Sequence, residues 1–325
     1  MVTDARVAMA LLTMSRFGKW NSGSWAQQLT ALLLVLVWAA CFVIIKAGLS
    51  EAPPLFTSAL RSLVAAAPLV MVSVMLGRLA APKDAWGWLV LLGLASTALA
   101  LGSMYLAVRH AGAAIPSVLA NTQALLVAPF AARFFGEPLT REKIVALLLG
   151  FGGVALTIVP GSRGLGSLEG AIFALLASAG IAVGTLVQRK IGGKADFVTA
   201  TTWQYIIGTF PLLAAALLTE EIAGMPWSPA FVAGVLFLGL AGSAGASLVW
   251  FLLVQRTELV RLTSFTLLTP VFGLLLSTLL FREPVGPLNW IGLVLTIAGV
   301  AWLQLSADQT TAGREVVSQV FRRLE

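Results

Sequence analysis

Arg61 stands inside an otherwise apolar run, about seven residues from its nearer end, which is roughly 10 Å deep at 1.5 Å per helical residue. Ser58, Ser62 and Ala65 share its face at helical spacing and turn it toward the protein interior. A charge at such depth is costly unless something answers it. Two chemistries fit: a counter-ion for a carboxylate on a small solute, or a structural arginine that snorkels or bonds backbone carbonyls near Pro53-Pro54. Another polar belt, Thr199, Thr201, Thr202, Trp203, Gln204 and Tyr205, interrupts a later apolar run. Its neutral donors and π-faces suit an amphipathic, zwitterionic or aromatic solute. Asn121, Thr122 and Gln123 make a further polar cluster, Trp38 is central to the first run, and Tyr105 and Trp250 sit near equivalent places in the third and eighth. Part of this polarity would serve helix packing, through interhelical hydrogen bonds worth under about 1 kcal/mol each. By contrast, all 14 Asp and Glu residues fall at run ends, in connections or in the tails. A mid-membrane carboxylate of the kind that exchanges protons or cations is therefore not expected.

The elements that must hold these residues are membrane helices. Hydrophobic residues make up 58% of the 325, charged residues 11%, and mean hydropathy is +0.93; soluble domains carry about 25% charge. Runs of about 20 apolar residues cross a bilayer, and ten are read, at 28–48, 54–77, 85–108, 113–134, 142–160, 168–189, 197–219, 229–254, 260–281 and 286–306. Length and the lack of period-two alternation exclude strands. Trp86, Trp88, Trp227 and Trp290 fall near run ends as interfacial residues. Gly180/Gly184 and Gly239/Gly242/Gly245 permit close helix approach. The net charge of +7 is spread over short gaps rather than along a stripe, so no nucleic acid partner is expected. Cys41 is the sole cysteine and His110 the sole histidine. No nucleotide-binding fingerprint or metal-ligand spacing occurs, and no cofactor is expected.

The chain is written twice. Gly136-Glu137-Pro138-Leu139 and Arg282-Glu283-Pro284-Val285 lie 146 residues apart, and so do Gly153-Val154-Ala155 and Gly299-Val300-Ala301. Gly93/Gly239, Ala95/Ala241 and Val108/Val254 keep that offset, whereas Lys46/Arg189 and Pro68/Pro211 pair at 143, which places Gln204 opposite Arg61. Residues 1–27 read as a cytoplasmic leader, 28–160 and 161–306 as two five-helix repeats, and 307–325 as a tail with an amphipathic pattern. With the N-terminus inside, connections on the inner side hold 16 Lys and Arg against 4 outside, so both termini are expected in the cytoplasm, in the inner (plasma) membrane. Five helices per repeat make the second copy inverted, which puts a substrate site between the halves near the midplane.

The residues that carry this repeat also carry a resemblance. Leu262-Thr263-Ser264-Phe265-Thr266-Leu267-Leu268-Thr269-Pro270, then Phe281-Arg282-Glu283-Pro284 and Gly299-Val300, resemble the closing signature of an EamA-type domain. So does Gly112-Ala113-Ala114 through Phe135-Gly136-Glu137-Pro138. Over about 280 residues, from Leu29 to roughly Leu305, the chain resembles ten-helix members of the drug/metabolite transporter superfamily. The resemblance implies an inverted-repeat carrier, often an exporter of amino acids or other small metabolites, with substrate held among helices one to four and six to nine. Where the second copy has Thr269-Pro270 the first has Gln123-Ala124, so a bend is expected of helix nine and no proline imposes one on helix four. The four-helix multidrug members use a first-helix glutamate, where this chain has Trp38 and Cys41.

The expectation is an all-α integral membrane carrier of small neutral or zwitterionic metabolites, working by alternating access. Amino acid export, tilted toward hydrophobic or aromatic ones, comes first. Arg61 would meet the carboxylate; Trp38, Tyr105, Trp203, Tyr205, Gln123, Gln204 and Trp250 would complete the site. The alternatives are a nucleoside, sugar or drug-like exporter of the same fold, and a non-transporting membrane scaffold. An enzyme is not expected, because no acid–base constellation converges.

Overall fold

A computed structural model describes residues 25–111, 114–158, 167–225, 227–281 and 286–324, with side chains to residue 306 apart from 114–115, 157–158, 277–278 and 280–281. The leader before residue 25, the Gly161–Gly164 connection, the Glu283-Pro284 copy of the motif and the side chains of the tail lie outside the described residues. The described chain is helical throughout, without strands. The helices are α1 (Trp25–Gly48), α2 (Pro54–Met75), α3 (Lys83–Ala111), α4 (114–135), α5 (Arg141–Ile158), α6 (Leu168–Ile191), α7 (Phe197–Thr219), α8 (Pro229–Arg256), α9 (259–281) and α10 (Pro287–Leu324). Nine of the described helices are long and apolar enough to span a bilayer; α5 has the length but opens on Arg141-Glu142-Lys143. Their apolar residues face both ways: Phe210, Leu217, Leu218 and Leu279 are exposed on the outside as a lipid-facing surface, the expected state of a membrane helix.

The repeat is visible as exchanged packing. The equivalent helices α2 and α7 pack on one another, as do α5 and α10, while α3 packs on α6 and α8 on α1. The repeated glycines sit where backbones cross. A Cβ on Gly153 would lie 2.4 Å from the Thr296 nitrogen, and one on Gly299 would lie 2.5 Å from the Gly150 nitrogen. Gly93 and Gly239 do the same at the centre, each 3.0 Å (from an added Cβ) from a backbone oxygen, that of Gln204 and of Arg61 respectively. Close backbone approach of this kind is what small residues give membrane helices.

Both third helices widen at the same register. Gly93–Leu99 in α3 and Leu240–Gly245 in α8 are π-helical, a local bulge that occurs mostly at functional sites. Both fourth helices break at the same register too. In α9 the chain tightens to a 3-10 turn at Phe265–Leu267, ahead of Pro270, which has no N–H to donate to the preceding turn. In α4 no proline stands at that point, yet the helix is interrupted between Ala120 and Gln123. Here Asn121 Nδ2 donates to the Ser117 oxygen at 2.5 Å and the Thr122 hydroxyl donates to the Leu119 oxygen at 2.7 Å. Side chains competing for carbonyls bend α4, where proline bends α9.

Candidate functional site

The breaks and bulges surround one cavity. Its volume is about 140 Å³, and its walls come from α1, α2, α3, α4, α6, α7, α8 and α9. It is larger than a water site and close to the roughly 150 Å³ that takes a benzene ring.

Arg61 reaches it from α2 and is 3% exposed. Its Nε donates to the Ser243 hydroxyl at 2.7 Å and its Nη2 to the Gly242 oxygen at 3.1 Å. The bulge of α8 thus offers the guanidinium a hydroxyl and a turned-in carbonyl, and the carbonyls near Pro53-Pro54 play no part. Nη1 and the hydroxyl of Tyr105 are both buried and neither makes a hydrogen bond of good geometry, although the two groups lie side by side, close enough to interact. Among the described residues no Asp or Glu lines the cavity or pairs with Arg61.

The repeat repeats this contact in neutral form. Gln204, equivalent to Arg61, extends its Nε2 to the Thr97 hydroxyl at 3.4 Å. Thr97 is the counterpart of Ser243 at the offset of 146 and lies in the bulge of α3. Gln188 on α6 continues the line, its Nε2 3.4 Å from the Gln204 Oε1. The two halves therefore present one charged and one uncharged version of the same arm.

Trp38 and Trp250 meet edge to face with centroids 5.1 Å apart and wall the cavity from α1 and α8. Gln123 follows the break in α4, and Tyr205 holds Ser247 at 2.8 Å. So Trp38, Arg61, Gln123, Gln204, Tyr205 and Trp250 share the cavity. Tyr105 stands behind Arg61 as a buried neighbour rather than a wall. Trp203 does not line the cavity: it packs on Trp86 at 4.6 Å and its indole N–H donates to the Leu79 oxygen at 2.9 Å. The helical turn separates it from Gln204, since successive side chains point about 100° apart.

Sequence reasoning passed over Gln188, Thr185 and Ile181, which line the cavity at a stripe of i, i+4, i+7. The stripe was readable, but Gln188 abuts Arg189-Lys190 and reads as a helix end. Thr266 and Thr269, within the run Leu262 to Pro270, line it from α9.

Charges gather instead at the connections α2–α3, α4–α5, α6–α7 and α8–α9. Glu137 accepts from Arg189 Nη2 at 2.8 Å and from the backbone N–H of Leu259 and Val260 at 2.8 and 3.2 Å, so it caps α9. Arg189 also donates to the Thr257 oxygen at 2.8 Å. Lys143, fully buried, pairs with Glu258, and Lys194 pairs with Asp84. The repeated Glu-Pro pair is, in its first copy, the piece that ties α4, α6 and α9 together.

The matched family model decides what this architecture belongs to: the EamA-like transporter family matches residues 25–159 and again 168–305. The chain is a member of the EamA-like transporter family. Among its relatives are an uncharacterized transporter of Synechocystis, 31% identical over 84% of this chain and 88% of that one, and a probable amino-acid metabolite efflux pump of Escherichia coli, 27% identical over 83% and 92%. A solved crystal structure superposes with a TM-score of 0.74 at 18% identity, covering 86% of this chain and 98% of that one, and shows the same fold. This EamA protein is therefore a multi-pass membrane transporter built from two repeats.

Proposed function

We propose that this EamA transporter exports small zwitterionic metabolites, amino acids first and hydrophobic or aromatic ones in preference, across the inner membrane with both termini in the cytoplasm. The observation that carries the reading is the Arg61 guanidinium, buried in the wall of the cavity with no acid beside it among the described residues and only the neutral hydroxyl of Tyr105 near Nη1. A carboxylate on the cargo would supply the missing acceptor as a charge-assisted bond. Trp38 and Trp250 give an apolar or aromatic side chain its wall. Size supports the same choice. At about 140 Å³ the cavity is smaller than the roughly 300–1,000 Å³ of drug-sized pockets, which argues for a small cargo over drug-like ones. The name of the Escherichia coli relative points the same way. The excess of basic residues on the connections that Glu137, Lys143 and Lys194 tie together supports the cytoplasmic assignment of that face.

Counterflow in liposomes tests it: purified protein, internal unlabelled amino acid, external labelled amino acid, one at a time. Transient accumulation of an aromatic or branched amino acid over empty liposomes is expected. No exchange of any amino acid, with exchange of a nucleoside or organic amine, would replace this reading with its alternative.

A further inference from the structure

Resting on that reading, we propose that Gln188 and Gln123 form the second pole of the site, accepting the ammonium group of the cargo while Arg61 holds its carboxylate.

The carboxamide oxygens of Gln188 and Gln123 are buried without hydrogen-bond partners, and both residues line the cavity. Buried acceptors left unmade cost about 1–3 kcal/mol each, so two in one small cavity, beside a guanidinium nitrogen without a well-formed hydrogen bond, call for a solute that answers all three. The Gln188–Gln204–Thr97 line shows what is on offer. Gln188 directs one amide N–H toward Gln204 and Gln204 directs one toward Thr97, while the Gln188 oxygen, an acceptor, has no partner. A solute group that meets it must bring a donor, N–H or O–H.

Placement separates the poles. Arg61 hangs from α2 on the bulge of α8, and Gln204 hangs from α7 on the bulge of α3. These are repeat-equivalent pairs, so the Gln204–Gln188 line comes from the second half and the guanidinium from the first, with Gln123 added from the break in α4. A zwitterion then has one orientation, because the guanidinium attracts its carboxylate and repels its ammonium. No carboxylate lines the cavity among the described residues, so neutral acceptors carry the ammonium end. Such a pole distinguishes an amino acid from the same acid without its amino group, and the loss of an N–H that a buried acceptor expects is the kind of difference that polar sites reject strongly.

The experiment compares phenylalanine with 3-phenylpropionate as competitors of labelled phenylalanine in liposome counterflow, or leucine with 4-methylpentanoate if leucine exchanges better. The full-length protein should prefer the amino acid at least tenfold. In Gln188→Leu, and in Gln123→Leu as a second variant, that preference should fall to within about threefold through weaker binding of the amino acid alone. Unchanged competition by the deaminated acid shows that the variant is folded and that Arg61 still works, and Gln188→Glu should keep the preference. An unaltered preference in both leucine variants, or equal weakening of both compounds, overturns the ammonium pole while leaving amino acid transport standing. Absence of amino acid exchange by the unmodified protein overturns the proposed function and the pole with it.

Discussion

Among the described residues Arg61, Lys143 and Arg261 are buried cations and Arg189 is partly so; Arg261 donates to the Gln304 oxygen, and the other three show two ways of treating a charge. Arg189 and Lys143 lie at the connections, where Glu137 and Glu258 neutralise them and backbone carbonyls take up further N–H groups. Arg61 lies at the cavity, where a serine hydroxyl and one carbonyl hold it and, among the described residues, no acid comes near. The cost of desolvating a charge is the same problem in both places. The connections solve it internally, which makes a closed tie between α4, α6 and α9. The cavity leaves part of it unsolved, which makes a site. Of these charges Arg61 is the one that lines the central cavity, and so the one open to a cargo.

Substitutions can break this contrast or sharpen it. Arg61→Gln should reduce counterflow of the preferred amino acid at least 100-fold while the protein still elutes as a folded species; loss of folding instead would make Arg61 a structural residue. Lys143→Met removes the partner of Glu258 and should lower stability by about 3 kcal/mol, the low end for a broken buried pair because Glu258 is partly exposed; thermal unfolding in detergent measures it. Glu137→Gln should loosen the tie by about 2 kcal/mol, discounted for partial exposure, and raise labelling of Cys41 by thiol reagents applied from that face. Cys41 suits the measurement because it lines the cavity and is the sole cysteine; unchanged labelling would dissociate the network from access. The smallest contrast is aromatic: Trp250→Ala should weaken amino acid binding about tenfold, and Trp203→Phe less than twofold, because Trp203 packs on Trp86 away from the cavity.

What was legible in the sequence follows the physics that generated each feature. Span positions and the inverted repeat are written in hydropathy and in two fixed offsets, and the bilayer enforces both. Six of the eight residues expected at a site share the cavity because they were chosen as polar or aromatic groups in the middle of apolar runs. Trp203 shows the limit: composition marks a polar belt, but only the helix rotation separates Gln204 and Tyr205 from their neighbour. The bulges in α3 and α8 carry no signature, since Gly93–Leu99 and Leu240–Gly245 read like any small-residue stretch. The break in α4 was hidden because side-chain competition for carbonyls does there what proline does in α9. The pairing of Arg61 with Ser243 and of Gln204 with Thr97 needs both offsets at once, 143 for the arms and 146 for the bulges.

The central claim is that Arg61 answers a carboxylate. Its most direct test is counterflow competition by phenylalanine and by phenylalanine amide, which differ in that one charge, in the unmodified protein and in Arg61→Gln. The account predicts that the unmodified protein prefers the acid by at least tenfold and that Arg61→Gln, with any residual binding, shows no preference. A preference retained in Arg61→Gln would contradict it.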